Sequence, residues 1–85
     1  MISVICVYNN KEILNKYLLK SLKIQTETHE LILLDNIGGK FKSASEALNY
    51  GGKKAKGDYL MFVHQDVDLC SKTWLENVES ILLSL

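Results

Sequence analysis

Three short apolar runs, separated by more polar segments, set the pattern of the chain. They lie at Ile2–Tyr8, at residues 31–34 and at Tyr59–Val63, and aliphatic residues dominate all three. Short, nearly continuous apolar runs are typical of strands buried inside a parallel sheet. We therefore expect three buried strands, the first of them covered on both faces.

Two of the intervening segments carry signals for the start of a helix. Asn9 followed by Glu12 resembles a capping box, and the apolar residues after it recur at helical spacing over residues 11–22. Ser43 followed by Glu46 is a capping box with the more usual serine. We expect each of these segments to form a helix that connects two strands.

The third helix follows the last strand and completes a regular alternation. The second helix extends to about Ala55, and the last one starts near Ser71 or Thr73. An apolar stripe at helical spacing marks the last helix: Trp74, Leu75, Val78, Ile81, Leu82 and Leu85. The order β-α-β-α-β-α predicts a three-layer, Rossmann-like α/β fold with a short parallel sheet in the strand order 2-1-3.

Composition and charge narrow the class of protein. The 85 residues are 47% hydrophobic and 24% charged, which indicates one folded domain spanning residues 1–85. The formal net charge is zero, so nucleic acid is not an expected partner. The two cysteines, Cys6 and Cys70, do not suggest a disulfide framework, and no signal peptide or membrane-spanning run is found. The expected location is the cytoplasm.

A three-stranded sheet has two free edges, and an apolar stripe continues to the last residue. Something is expected to cover this surface. The two possibilities are a homo-oligomer and a C-terminal half beyond Leu85.

The candidate chemistry lies where the strands end. Tyr8-Asn9, Asp35-Asn36 and the segment from His64 to Asp68 each follow one predicted strand, and ligands of open parallel sheets bind at this edge. The glycine-rich phosphate loops G-x-G-x-x-G and G-x-x-x-x-G-K-[ST] are absent. A bound phosphate would therefore need a divalent cation held on carboxylate. Taken alone, the acidic segment after the third strand favours a solvated turn, because short acidic loops are common.

Several segments resemble one family in the same order. Residues 2–9 resemble the opening strand of family 2 glycosyltransferases, which have the nucleotide-sugar-binding GT-A fold, and residues 33–36 are similar to its second strand and acidic loop. Residues 47–51 and 55–62 resemble its next helix and the strand that leads to the Asp-X-Asp motif. His64-Gln65-Asp66-Val67 resembles a subgroup with His-Gln-Asp-Val at that place. The chain is thus similar to the N-terminal, donor-binding half of a GT-A domain.

The resemblance implies a role for each matching residue. Asp35 would contact the nucleobase, usually uracil, while Tyr8 and Asn9 would line the base and ribose pocket. Asn36 belongs to the same set of nucleotide-sugar-binding residues. Asp66 matches the last acid of Asp-X-Asp and would bind Mn or Mg that bridges the diphosphate.

His64 stands at the position of the first acid of that motif. Its imidazole could hydrogen-bond the ribose, join the metal shell or serve only a structural role. Asp68 lies outside the motif, and a zinc site made by His64, Asp66 and Cys70 has an unsuitable spacing.

Catalysis is a separate question from donor binding. Inverting sugar transfer needs a general base, and the family supplies it from a C-terminal half that these residues do not include. The first hypothesis is therefore a glycosyltransferase-like domain that binds a nucleotide-sugar, with UDP-sugar favoured. The alternative is a non-catalytic α/β structural or dimerisation module that has kept the fold.

Overall fold

A computed structural model describes all 85 residues, Met1–Leu85, as an α/β structure built on one parallel sheet. The strands are β1 (Ile2–Tyr8), β2 (His29–Asp35) and β3 (Tyr59–Val63), and their order is β2-β1-β3. Both pairings are parallel. The predicted element order and strand order 2-1-3 are confirmed.

Three helices connect and follow the strands. Helix α1 covers residues 11–23, as α-helical Lys11–Leu14 and Lys20–Lys23 with the π-helical turn Asn15–Leu19 between them. Helix α2 is Ala44–Lys54 and helix α3 is Trp74–Leu83. None of these helices has the length and apolar character needed to cross a bilayer.

Of the two predicted helix N-caps, one is confirmed and the other is displaced by one residue. Ser43 caps α2 by accepting a hydrogen bond from the Glu46 amide at 3.1 Å, as predicted. The predicted cap Asn9 is wrong by one residue, because Asn10 accepts from the Ile13 amide at 3.2 Å. The side chain of Asn9 instead accepts a hydrogen bond from Gln65 in the loop after β3.

One face of the sheet packs on α1 and the start of α3. Alternate residues of β1 point to this face, as the pleat requires. The cluster comprises Ile2, Val4, Cys6, Tyr8, Leu14, Leu18, Leu22, Leu69 and Leu75.

The other face packs on α2, around Ile5, Leu34, Phe41 and Ala47. Gly51 permits a close approach of this helix to the sheet. A Cβ atom at Gly51 would lie 2.6 Å from Cγ2 of Ile5 and 3.0 Å from Cδ1 of Leu34. The prediction that β1 is covered on both faces is confirmed.

The prediction that β2 and β3 are buried strands is only partly correct. Leu31 and Leu33 of β2 are 37% and 36% exposed, and Leu60 and Phe62 of β3 are 47% and 48% exposed. Both strands are edge strands, so the helices that cover the central strand do not reach the outer faces of these residues.

Helix α3 lies beside the amino-terminal end of the sheet. The Thr26 amide donates to the Lys72 carbonyl at 2.8 Å, and Glu79 forms an ion pair with the Met1 amine at 2.6 Å. Leu75 is buried, but Ile81 is 62% exposed and Leu85 95%. The predicted apolar stripe of this helix is therefore only partly used in the fold.

Candidate functional site

A cavity of about 550 Å³ opens at the carboxyl edge of the sheet, and we refer to it as the Tyr8 cavity. All three strand ends contribute to it, because parallel strands bring their carboxyl ends to one edge. Its lining comprises Val7, Tyr8, Asn9, Ile13, Asn36, His64, Gln65 and Asp66. Five of the six residues proposed from the sequence thus lie around a single cavity; Asp35 is the exception.

Gln65 holds two of the loops around this cavity together. Its Oε1 accepts from the amides of Asn9 and Asn10, both at 3.0 Å, and its Nε2 donates to Oδ1 of Asn9 at 2.8 Å. The loop after β3 is thereby fixed to the loop after β1. The sequence interpretation did not select Gln65, because its role follows from loops that are 56 residues apart in the chain.

Asn9 and Asn36 already have partners within the protein. The Oδ1 atom of Asn9 accepts from Gln65. Asn36 closes the loop that follows it, since its Oδ1 accepts from the Phe41 amide at 2.8 Å and its Nδ2 donates to the Phe41 carbonyl at 3.4 Å. These two side chains shape the cavity, and a ligand would have to share or replace their bonds.

Asp35 lies at the same edge but outside the Tyr8 cavity. Its Oδ1 accepts from the Ile37 amide at 2.9 Å, which is the Asx turn of an acid that ends a strand. It lines a groove of about 650 Å³ along the outer side of β2. Tyr8 pairs with Asp35 across the sheet, and burial followed by the charge of Asp35 raises the pKa of the Tyr8 phenol.

Asp66 is the one carboxylate that lines the Tyr8 cavity, and its side chain is exposed to solvent. The charge of Asp66 also affects the buried Cys6 of β1. Burial, and to a smaller extent Asp66, raises the pKa of the Cys6 thiol to about 11. Cys6 is therefore a protonated thiol in the core at neutral pH, and has the character of a small hydrophobic residue.

His64 is exposed and lines two cavities at once. Beside the Tyr8 cavity lies a smaller one of about 350 Å³, and His64, Val7 and Asn36 line both. The smaller cavity is closed on its other side by the start of α2 and by β3 residue Phe62. An extended ligand at the Tyr8 cavity would thus have a more apolar compartment next to it.

The few side chains available as ligands limit which metal ion the cavity could hold. The structure contains no group of three or more His, Cys, Asp or Glu side chains arranged around one point. Asp66 could supply one carboxylate, with His64 beside it in the same lining. Such a set suits Mg²⁺ or Mn²⁺ that takes further oxygens from water and from the phosphates of a ligand, but not a structural zinc site.

The loop between β3 and α3 contains two further features. Asp68, an exposed acid, accepts from the Cys70 amide at 2.8 Å. Cys70 is exposed and has a φ of 63°, in the left-handed region. Asp68 therefore acts as a turn residue, in agreement with its placement outside the motif.

Comparison of the chain with protein-family models, with curated proteins and with solved structures finds no match in any of the three.

Proposed function

We propose that the chain is a glycosyltransferase-like, GT-A-related domain that binds a nucleotide-sugar donor, most simply a UDP-sugar, together with Mg²⁺ or Mn²⁺. One observation carries the proposal. The ends of the three parallel strands meet around a cavity lined by Tyr8, Asn9, Asn36, His64 and Asp66. The sequence resemblance to a donor site points to the same five residues.

In this proposal each residue performs a simple physical task. Asp66 holds the metal ion, which neutralises the diphosphate, because the cavity lining contains no lysine or arginine. The ring of Tyr8 and the loop at Asn9 form a wall for the nucleoside. Asp35 pairs with Tyr8 on the neighbouring strand but lies outside the cavity lining, so no contact with the base is assigned to it.

The proposal is limited to binding. No residue after Asp68 lies near the cavity as a possible base: Glu76 accepts from Thr26, and Glu79 pairs with the Met1 amine. Both acids are thus at the opposite end of the sheet from the Tyr8 cavity. We do not assign transfer activity to these 85 residues.

The alternative is a non-catalytic α/β module, and one observation favours it. The polar side chains of Asn9, Gln65 and Asn36 bond to one another or to the backbone, which is what a purely structural rim would require. In that case the cavity is a consequence of loop packing and takes no nucleotide.

Calorimetric titration of uridine diphosphate, with and without Mn²⁺, separates the two functions. We expect binding that depends on the metal and that Asp66→Asn weakens by at least tenfold, because the amide keeps the shape of the carboxylate but loses its charge. The matched control is Asp68→Asn, which removes a nearby exposed charge outside the cavity lining and should bind like the parent.

Two results would contradict the proposal. One is the absence of any uridine diphosphate binding in the presence of Mn²⁺ by a chain shown to be folded. The other is equal binding by the parent and by Asp66→Asn, which would place the ligand elsewhere. The first result would favour the structural module, and the second would remove Asp66 from the binding site.

A further inference from the structure

The outer edge of β2 presents free backbone groups, because β1 is the only neighbour of this strand. The Asn36 amide, just after β2, donates to the Tyr8 carbonyl of β1 at 2.8 Å. Successive residues of a strand turn their backbone groups to opposite sides, so those of Leu31 and Leu33 point away from β1. These groups have no partner in the sheet and are able to pair with a further extended chain.

On the α2 side of this edge, the groove of about 650 Å³ is positively charged. Lys40 and Lys54 line it, and their ammonium nitrogens lie 5.6 and 4.6 Å from the centroid of the Tyr50 ring. Neither lysine forms an ion pair with a carboxylate. The one acid in the lining, Asp35, accepts from the Ile37 amide. The groove therefore has an excess of positive charge and suits acidic side chains.

On the α1 side of the same edge lies a second groove, of about 500 Å³, with a different chemistry. Four leucines of α1 and β2 form its apolar surface: Leu19, Leu22, Leu31 and Leu33. Its polar members are Lys23, Gln25 and His29, and it contains no acid. This groove suits apolar side chains, because their burial against the leucines removes apolar surface from water.

We propose that β2 binds an extended segment of a partner protein in which acidic and apolar residues alternate. Side chains of a strand point alternately to the two faces of a sheet, so a strand added to β2 places every second side chain in each groove. Its acids face Lys40 and Lys54 on the α2 side, and its apolar residues face Leu31 and Leu33 on the α1 side. Backbone pairing gives affinity to any extended chain, and the two grooves give the preference for this alternation.

A second copy of this chain is a poor occupant of the β2 edge. Its own edge strands lack the alternation, since residues 31–34 and Tyr59–Val63 contain no acid. Pairing of β2 with a second β2 would also bring Lys40 and Lys54 of both copies to one interface. Repulsion between these like charges opposes that arrangement, whereas an acidic partner is attracted.

The first test is fluorescence anisotropy with a labelled synthetic peptide of alternating glutamate and valine. We expect this peptide to bind and a peptide of alternating lysine and valine not to bind. Lys40→Gln/Lys54→Gln should weaken binding by about tenfold, since two exposed cations are lost and each contributes modestly.

The matched control for this test is Lys42→Gln/Lys53→Gln. It removes the same charge from the same loop and helix, at exposed lysines outside the groove lining, and should bind like the parent. Equal weakening by the two double variants would show attraction without a site and would overturn the proposal. Absence of binding of the glutamate peptide by the folded parent would also overturn it.

The second test is hydrogen exchange followed by NMR, which reports on the backbone pairing. The glutamate peptide at saturation should slow exchange of the outward amides of Leu31 and Leu33 by about tenfold or more. The amides of Ile32 and Leu34 face β1 and serve as internal controls, since they should be protected with and without the peptide.

Two results of the exchange experiment would overturn the proposal. One is a peptide that slows exchange along β3 and leaves β2 unchanged. The other is protection of Leu31 and Leu33 in the free chain together with a dimer in sedimentation, which would show that a second copy covers the edge. None of the residues changed or monitored lines the Tyr8 cavity, so failure here leaves the nucleotide proposal to its own titration.

Discussion

Gln65 is the residue whose single side chain holds the Tyr8 cavity in shape. It accepts from two consecutive backbone amides and donates to one side chain, and all three bonds connect the loops after β1 and β3. Its amide group suits this position because it offers an acceptor and donors on adjacent atoms.

Gln65→Ala should lower the free energy of unfolding by about 1–2 kcal/mol, because three bonds are lost and each of these exposed bonds contributes modestly. Urea denaturation followed by fluorescence of Trp74 measures the change. Gln65→Glu keeps the oxygen that accepts from Asn9 and Asn10, so a smaller loss is expected for it. Equal stability of Gln65→Ala and the parent would show that the loops are held by other contacts.

The sequence indicated which residues surround the cavity but not which residue connects its loops. Tyr8, His64 and Asp66 were found because strand ends converge in a parallel sheet, and convergence needs only the order of the elements. Gln65 could not be found in this way, since its hydrogen bonds depend on which loops become neighbours in the fold. The cap of α1 is Asn10 and not Asn9 for a similar reason. The Oδ1 atom of Asn9 accepts a hydrogen bond from Gln65, while that of Asn10 accepts from the Ile13 amide.

At the scale of elements, α2 runs from the smaller cavity across the middle of the sheet. It begins beside the smaller cavity, where Ala44 is part of the lining, and it crosses β1 at Gly51. Its start is defined by Ser43, and the Glu46 carboxylate in turn accepts from the Lys42 amide at 3.3 Å.

Ser43→Ala should lower the free energy of unfolding by about 1 kcal/mol, the usual cost of losing an N-cap. Ser45→Ala is the matched control, since Ser45 is an exposed residue inside the same helix and alanine has the higher helix propensity. The control should be neutral or slightly more stable. Chemical denaturation of both variants measures the difference, and equal values would mean that the cap adds no stability.

The strands were predicted correctly in number, order and direction, but the burial of β2 and β3 was not. The bounds of β1 and β3 follow from apolar runs that end in polar residues, and both agree with the structure. The exposure of Leu31 and Phe62 could not be read from those runs, because the same residues suit a central strand and an edge strand. Only the strand order decides which face stays open, and here it leaves both outer strands partly uncovered.

At the scale of the whole molecule, the amine of Met1 joins three distant segments. It forms ion pairs with Asp58 before β3 at 2.7 Å and with Glu79 of α3 at 2.6 Å. The hydrogen bonds that this amine donates to the carboxylates of Asp58 and Glu79 raise its pKa from 8.0 to about 10. The connection is therefore sensitive to alkaline pH.

A group whose pKa is higher in the folded state than in the unfolded state stabilises the fold below the unfolded value. That stability is lost as the pH rises through the folded value. The melting temperature should therefore fall between pH 8 and pH 10. Scanning calorimetry in matched buffers measures this decline. An Nα-acetylated chain, which has no amine to titrate, should show a flatter profile over the same range, and identical profiles would contradict the role of the ion pairs.

The central claim is that a nucleoside diphosphate binds at the carboxyl edge of the sheet. Residue-resolved NMR tests this claim most directly. A ¹⁵N-labelled chain is titrated with uridine diphosphate in the presence of Mg²⁺, and amide shifts are followed along the sequence. We predict that the largest shifts occur at Tyr8, Asn9, Asn36, Gln65 and Asp66, which surround the Tyr8 cavity. Shifts confined to the outer groove of β2, or no shifts at millimolar ligand, would contradict the claim.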